Sequence, residues 1–116
     1  MLSFSDNIRI YAYTRPTDMR KGFNGLSGIV REEFQADPTD GSLFVFVNRR
    51  RDRMKLLHFS GGSFWLYYRL LEAGTFEELK PRDETCRLQI AATQLAMLLS
   101  GVSLVVADKR RKRLAS

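Results

Sequence analysis

The sequence predicts a single α+β domain, in which a mainly antiparallel sheet of about five strands is flanked by two helices. The first observation behind this prediction is a series of three apolar runs, residues 43–47, 54–59 and 64–70, joined by short polar connections. Such a series is typical of an antiparallel meander. The second observation is helical periodicity over residues 18–34 and 93–100. The third is the length of 116 residues, which favours one domain with its own core.

The first predicted element is a half-buried strand over residues 8–13, where two classes of side chain alternate along the chain. Pro16 ends this strand, and Thr17 and Asp18 are candidate N-caps for the helix that follows.

The first helix is predicted over residues 18–34, because its apolar positions recur at intervals of three and four. These positions are Met19, Phe23, Leu26, Val30 and Phe34. Gly22, Gly25 and Gly28 recur at every third residue, so we expect a narrow strip of this helix to pack closely against the sheet. Close approach of a ligand or a DNA backbone to the strip is the alternative.

The central part of the sheet is predicted over residues 43–70. The run at 43–47 is apolar on both faces, which indicates a strand covered on both sides. The connection that follows it is rich in arginine, and the next, residues 60–62, is a Ser-Gly-Gly turn. In the third run, Trp65, Tyr67 and Arg69 share one face; they can form cross-strand aromatic pairs or stack on unpaired bases.

The remainder of the chain predicts short strands at residues 75–79 and 87–90 and a helix at 93–100 that Gly101 ends. Residues 102–107 are apolar and are predicted to form an edge strand, which offers one route to a homodimer. We therefore expect one domain over residues 1–107 and a flexible basic tail over 108–116.

Positive charge is concentrated in two places. The chain has a formal net charge of +6, and residues 108–113 alone contribute five cations and one acid. The second cluster lies at the tip between the first two runs of the meander, Arg49, Arg50, Arg51 and Arg53, and Lys55 follows it at the start of the second run. Two local basic patches on a nearly balanced body favour an anionic polymer, with DNA the leading candidate, over a merely solvated surface.

The sequence contains no pattern typical of an enzyme or a cofactor site. HExxH, CxxC, GxxxxGK[ST] and GxSxG motifs are absent, and the acidic residues show no spacing that favours a metal site. Cys86 and His58 are the only residues of their types, and we expect both to be structural. We therefore predict a non-enzymatic protein without a cofactor. The single cysteine, with no apolar run long enough to span a membrane and no signal peptide, fits a cytoplasmic location.

Four segments together carry a family resemblance: TDMRKGFNGL from residue 17, LFVFVNRRRDRMKLL from 43, FWLYYRLLEAGTF from 64 and QLAMLLSGV from 94. In this order they resemble the small accessory protein, often called TnpB, of the insertion sequence 66 group of bacterial mobile elements. The resemblance implies a role in transposition beside a separate, larger transposase that cuts the DNA strands. The charged or glycine positions that match are Asp18, Arg20, Lys21, Arg49, Arg50, Asp52, Arg53, Lys55, Arg69 and Gly74.

The chain differs from the family pattern where the last helix begins, because it has Ala91-Ala92 in place of Thr-Pro; Thr93 is then the candidate N-cap. The basic tail also lies beyond the resemblance, so its DNA-binding role rests on charge alone.

Two functional hypotheses follow. In the first, the protein binds DNA, mainly through phosphate contacts, at element ends or without sequence specificity. The predicted contacts are Arg20, Lys21, Arg49, Arg50, Arg51, Arg53, Lys55, Arg69, Lys109, Arg110, Arg111, Lys112 and Arg113. In the second, it is an adaptor that docks on the transposase or on the other accessory protein without contacting DNA, through a face formed by Trp65, Tyr67 and Tyr11.

Overall fold

A computed structural model describes residues 7–100 of the chain. The elements in chain order are β1 (Ile10–Tyr13), α1 (Phe23–Glu33), β2 (Leu43–Val47), β3 (Arg53–Ser60), β4 (Ser63–Leu70), β5 (Arg87–Ile90) and α2 (Ala92–Leu99). The predicted α+β class and the two flanking helices are confirmed. None of the helices in the described part of the chain is long and apolar enough to cross a membrane.

The five strands form one sheet in the order β4-β3-β2-β1-β5. β2, β3 and β4 form the predicted antiparallel meander, and β5 pairs antiparallel with β1. β1 and β2 are the exception, because they run parallel and are connected through α1. β1 is therefore a central strand with all four residues buried, not the half-buried strand predicted from its alternation.

Two helical layers cover the sheet. α1 packs through Leu26 and Val30 against the face that carries Tyr11, Phe44 and Leu57, which we call the α1 face. The opposite face, the α2 face, is covered by Leu95 and Leu98 of α2 and by Phe76 from the preceding loop. β2 lies between the two layers and is buried along its whole length, as predicted.

The geometry of the turn between β3 and β4 explains why it contains two glycines. Ser60 pairs with Ser63, so only Gly61 and Gly62 form the turn, and their φ angles are +62° and +79°. Positive φ at both central residues defines the turn type whose twist matches a two-residue hairpin, and glycine adopts it without strain.

Several predicted boundaries are wrong. α1 begins at Phe23 with Gly22 as its N-cap, not at Asp18. No strand forms at residues 75–79, because Phe76 leaves the sheet plane and fills the core instead. The predicted edge strand and the predicted tail, residues 102–107 and 108–116, lie outside the described residues.

The glycines of α1 do not line a packing surface. A Cβ at Gly28 would meet nothing within 4 Å, and one at Gly25 would approach the side chain of Lys21 at 3.1 Å. Close packing of a glycine strip on the sheet is therefore excluded.

Candidate functional site

The parallel pair β1 and β2 brings two loops to the same end of the sheet. Parallel strands end on the same side, so residues 14–22 after β1 and residues 48–52 after β2 lie next to each other. The backbone joins them directly, because the amide of Thr17 donates to the carbonyl of Val47 at 2.9 Å. We call this end of the sheet, with the arginines that both loops carry, the basic end of the sheet. It unites the first two segments of the family resemblance.

The loop at residues 48–52 is organised by the side chain of Asn48. Its Oδ1 accepts hydrogen bonds from the amides of Asp52 and Arg53 at 3.1 and 3.0 Å, and its Nδ2 donates to Asp52 Oδ1 at 2.8 Å. The amide of Arg51 donates to the Asn48 carbonyl at 3.1 Å, which closes a turn. Arg51 has a φ of +58°, an uncommon backbone conformation for a residue other than glycine. These bonds give the loop a defined shape.

A second segment supports the same loop from behind. The amide of Leu71 donates to the Asp52 carbonyl at 2.8 Å, and the amide of Phe76 donates to the Arg51 carbonyl at 2.6 Å. Phe76 is fully buried, so these bonds attach the loop to the hydrophobic core. The arginines of the loop are consequently carried on a rigid support.

Lys55 has a structural position. Its side chain is only 7% exposed, and its Nζ donates to the carbonyls of Met19 at 2.7 Å and Lys21 at 2.8 Å. The same ammonium lies 4.8 Å from the centre of the Tyr68 ring, a cation–π contact. The donors of Lys55 are used inside the protein, which is at variance with the DNA contact predicted for this residue. Its charge holds residues 19–21 in place.

Arg20 has an intramolecular partner. Its Nε and Nη2 donate to the carboxylate of Asp18 at distances between 2.7 and 3.1 Å, and its side chain is 91% exposed. Hydrogen bonds from the Arg20 side chain and amide lower the pKa of Asp18 to about 2. The two residues lie in a turn before α1, so the prediction that Arg20 lies in the first helical turn is wrong.

Three arginines line an open cleft of about 580 Å³ between the two loops: Arg49, Arg50 and Arg53. Within residues 7–100, the side chains of Arg49 and Arg50 are exposed and form no hydrogen bond or ion pair. Arg53 donates from Nη1 to the hydroxyl of Tyr68 at 3.3 Å. The two acids of the cleft have partners of their own, Arg20 for Asp18 and Asn48 for Asp52.

The other predicted contacts are distributed around this cleft. Arg51 lines a second cleft with Glu77 and Glu78. Lys21 is exposed and packs its stem beside Gly25 at the start of α1. Arg69 is exposed on the α2 face of β4, opposite Met54 in the register. Lys109, Arg110, Arg111, Lys112 and Arg113 lie outside the described residues.

Two further residues were not identified from the sequence. Arg15 is exposed beside Arg49 and Arg51 in the second cleft, which extends the basic end. Asn48 begins the polar connection after the run at residues 43–47, and the sequence pattern predicts no further role for it. The available signal was its place after a buried strand and four residues before an aspartate, a spacing that allows a side chain to close a loop on itself.

The remaining candidates for chemistry are metal-binding groups and the single cysteine. No group of three or more His, Cys, Asp or Glu side chains in the described part of the chain is placed to hold a metal ion. Cys86 is buried and its Sγ lies 3.6 Å from Glu33 Oε2. Burial and the Glu33 carboxylate raise the pKa of the thiol.

The expected cap of α2 also differs from the structure. Ala91 occupies the N-cap position, and the Gln94 side chain accepts a hydrogen bond from the Ala91 amide at 2.7 Å. Thr93 therefore does not serve as the cap.

Comparison with known proteins identifies relatives over most of the chain. Residues 8–109 match the family model described as IS66 Orf2 like protein. Two curated proteins of Sinorhizobium fredii (strain NBRC 101917 / NGR234) are similar, the uncharacterized proteins y4hO and y4jC. They are 36% and 32% identical over 102 residues, covering 88% of this chain and 87% and 86% of theirs. Among solved structures, none matches the chain.

Proposed function

Because the chain belongs to the IS66 Orf2-like family, we propose that it is a non-enzymatic accessory protein of transposition that binds DNA through the basic end of its sheet. The observation that carries the proposal is the pair Arg49 and Arg50. Both guanidinium groups are exposed, neither has a partner in residues 7–100, and both extend from a hydrogen-bonded loop.

Phosphate is the ligand that best fits these groups. An arginine presents a planar set of five donors that matches the oxygens of a phosphate. The rigid loop lowers the conformational entropy lost on binding, because Asn48 and Phe76 already fix its backbone. Arg53 lies in the same cleft, and Arg15 and Arg51 add cations on the other side of the loop, where Glu77 and Glu78 also lie. We expect Arg49, Arg50 and Arg53, which line one cleft, to contact phosphates of the DNA backbone.

This arrangement supports contacts to the DNA backbone more than the reading of base edges. Sequence-specific proteins usually place a helix or a strand pair in the major groove. Here the cations extend from loops, and neither α1 nor α2 carries a row of arginines toward the basic end. We therefore expect weak sequence preference and a steep dependence of affinity on salt concentration.

The adaptor hypothesis retains one supporting observation. Trp65 is exposed on the α2 face and stacks on Tyr67, and exposed aromatic residues are common at protein interfaces. Tyr11, the third residue of the predicted docking face, is buried on the opposite face of the sheet against Phe44. The docking face is therefore smaller than predicted, and docking on the transposase is the second candidate function.

The test is the salt dependence of DNA binding by the full chain, measured with an element-end duplex and an unrelated duplex. The double variant Arg49→Ala, Arg50→Ala is compared with Arg9→Ala, Arg31→Ala, which removes the same charge from exposed sites at the opposite end of the sheet. We expect the first pair to reduce the slope of log K against log salt by about two, one for each lost phosphate contact. We expect little change from the second pair.

Equal reductions of the salt slope in the two double variants would show that DNA does not contact the basic end in preference to other exposed cations. This result would overturn the proposal. Absence of DNA binding at low salt would favour the adaptor. In that case, retention of the protein by immobilised transposase should depend on Trp65.

A further inference from the structure

Strand β4 is an edge of the sheet and leaves its outer side unpaired by any residue in 7–100. The bond from the Leu71 amide to the Asp52 carbonyl fixes which residues of β4 bond to β3, because such pairs alternate along an antiparallel ladder. By this alternation, Tyr67 and Arg69 bond inward to β3. The outward-directed amides and carbonyls belong to Phe64, Leu66, Tyr68 and Leu70.

This edge lacks the features that normally prevent pairing with another strand. β4 is eight residues long, continuous in register from Ser63 to Leu70, and contains no proline. Arg69 is its only charged residue. Natural edge strands are usually shortened, bulged or charged to block association, and β4 is none of these.

Beside the unpaired edge lies an apolar strip on the α1 face. The α1 layer covers β4 only at Phe64 and Leu66, which are partly buried, and Tyr68 is 53% and Leu70 49% exposed. Phe23, which is 45% exposed, continues the strip by packing its ring 6.3 Å from that of Phe64. Three of the four exposed large hydrophobic side chains in residues 7–100, Phe23, Tyr68 and Leu70, are therefore distributed along this strip.

We propose that β4 pairs antiparallel with β4 of a second copy of this chain, about a two-fold axis at Tyr67, so that two five-stranded sheets become one of ten strands. A two-fold axis perpendicular to the sheet must place each residue opposite one on the same face. Of the registers that satisfy this condition, the one centred at Tyr67 uses all four outward-directed residues. It sets Phe64 opposite Leu70 and Leu66 opposite Tyr68, with about eight backbone hydrogen bonds.

The charge pattern fits a second copy in this register. Arg69 lies opposite Trp65 of the second copy, where a guanidinium over an exposed indole forms a favourable cation–π contact. The two Arg69 side chains are then roughly 14 Å apart, beyond the screening length at physiological salt. The same register joins the two apolar strips, because a perpendicular axis keeps both on one face of the combined sheet.

The proposal is independent of DNA binding, and its test excludes DNA. Sedimentation velocity of the full, nucleic-acid-free chain at about 0.5 M salt, where phosphate contacts are screened, should show a concentration-dependent dimer. Leu70→Lys should raise the dissociation constant at least about tenfold, because each dimer gains two charges at its apolar seam. Gln89→Lys places the same charge on β5, the opposite edge strand, and should leave it unchanged.

The register is tested by cross-linking in a Cys86→Ala background. Tyr67→Cys places two thiols in a non-hydrogen-bonded pair with Cα atoms about 4.5 Å apart, a distance that a disulfide can span. Leu66→Cys does not face itself in this register, so oxidation should cross-link the first variant and not the second. Circular dichroism of each reduced variant checks that it is folded.

Three results would overturn the proposal. The first is a wild-type chain that stays monomeric at every concentration, which would leave the edge to an extended segment of another protein or to residues 101–116. The second is loss of the dimer in Gln89→Lys but not in Leu70→Lys, which would place the interface at β5. The third is preferential cross-linking of Leu66→Cys, which would contradict the register.

Discussion

Replacing Lys55 by methionine separates the structural role of this residue from the DNA contact predicted from the sequence. Methionine keeps most of the stem but removes the ammonium that binds the carbonyls of Met19 and Lys21. A hydrogen bond to a charged group contributes about 1.5–3 kcal/mol, and the contact with the Tyr68 ring adds roughly 0.5–1 kcal/mol. Part of this loss is offset by the lower cost of burying a thioether. We expect the free energy of unfolding to fall by about 2–4 kcal/mol.

Urea unfolding followed by circular dichroism measures this change, with Lys80→Met as the control because Lys80 is exposed. The melting temperature should fall by about 10 °C or more in a domain of this size. Amide exchange of residues 19–22 should accelerate, since the carbonyls that fix this turn lose their donor.

The salt slope of DNA binding completes the test. Lys55→Met should leave the slope unchanged, because the ammonium is not available to a phosphate. A slope reduced by about one, with a loss of stability below about 0.5 kcal/mol, would refute the structural role and restore Lys55 as a DNA contact.

Three further predictions concern the loops and the core. Asn48→Ala removes the side-chain hydrogen bonds that close the arginine loop. Urea unfolding should show a free energy of unfolding lower by about 1–3 kcal/mol. A loss below about 0.5 kcal/mol would mean that backbone hydrogen bonds alone hold the loop. The pKa of Asp18, about 2 in the folded protein, lies below its ordinary value of 3.8; the stabilisation it provides is therefore complete above pH 4 and lost as the pH falls toward 2. Carboxyl NMR titration should show that midpoint, and Arg20→Ala should return it toward 3.8, whereas an unchanged midpoint would exclude Arg20 as the cause. The raised pKa of Cys86 predicts that its stabilising effect is lost as the pH rises above the pKa of an unfolded thiol, and that iodoacetamide modifies the native protein more slowly than the urea-unfolded chain; equal rates would show that the thiol is accessible.

The fold class and the meander could be predicted because burial determines the pattern of apolar residues. The run at residues 43–47 is apolar on both faces and is the strand with both faces covered. The two glycines between β3 and β4 require a turn that fixes the hairpin register. Leu26 and Val30 form the buried face of α1 at the predicted spacing.

The order of the strands could not be predicted, because the pattern within a strand does not specify its neighbours. β1 can lie parallel to β2 because α1 connects the two strands, and nothing in the pattern of β1 itself specifies this pairing. The alternation of residues 8–13 is equally consistent with an edge position. The start of α1 was misplaced for a different reason. The Asp18 carboxylate accepts hydrogen bonds from the amide and the side chain of Arg20. These bonds form a local turn, which competes with the helix.

The sequence predicts which cations the candidate site contains, but it does not show which of them are structural. Net charge and spacing predict a cluster of cations at the arginine tip, and Arg49, Arg50 and Arg53 line one cleft in the structure. They could not distinguish exposed Arg49 and Arg50 from buried Lys55, because the sequence does not show which cation lies beneath a neighbouring loop. That distinction depends on residues 19–21, which are distant in sequence from the tip.

The central position of β1 has a consequence for the synthesis of the chain. β1 is made first, yet one of its two neighbours, β5, comes from residues near the end of the described region. A growing chain can pair β1 with β2, but the other edge of β1 stays open until Arg87–Ile90 has left the ribosome. Contacts between distant residues form slowly. We therefore expect chains shortened before Arg87 to expose an apolar strand edge and to depend on chaperones or proteases for their fate.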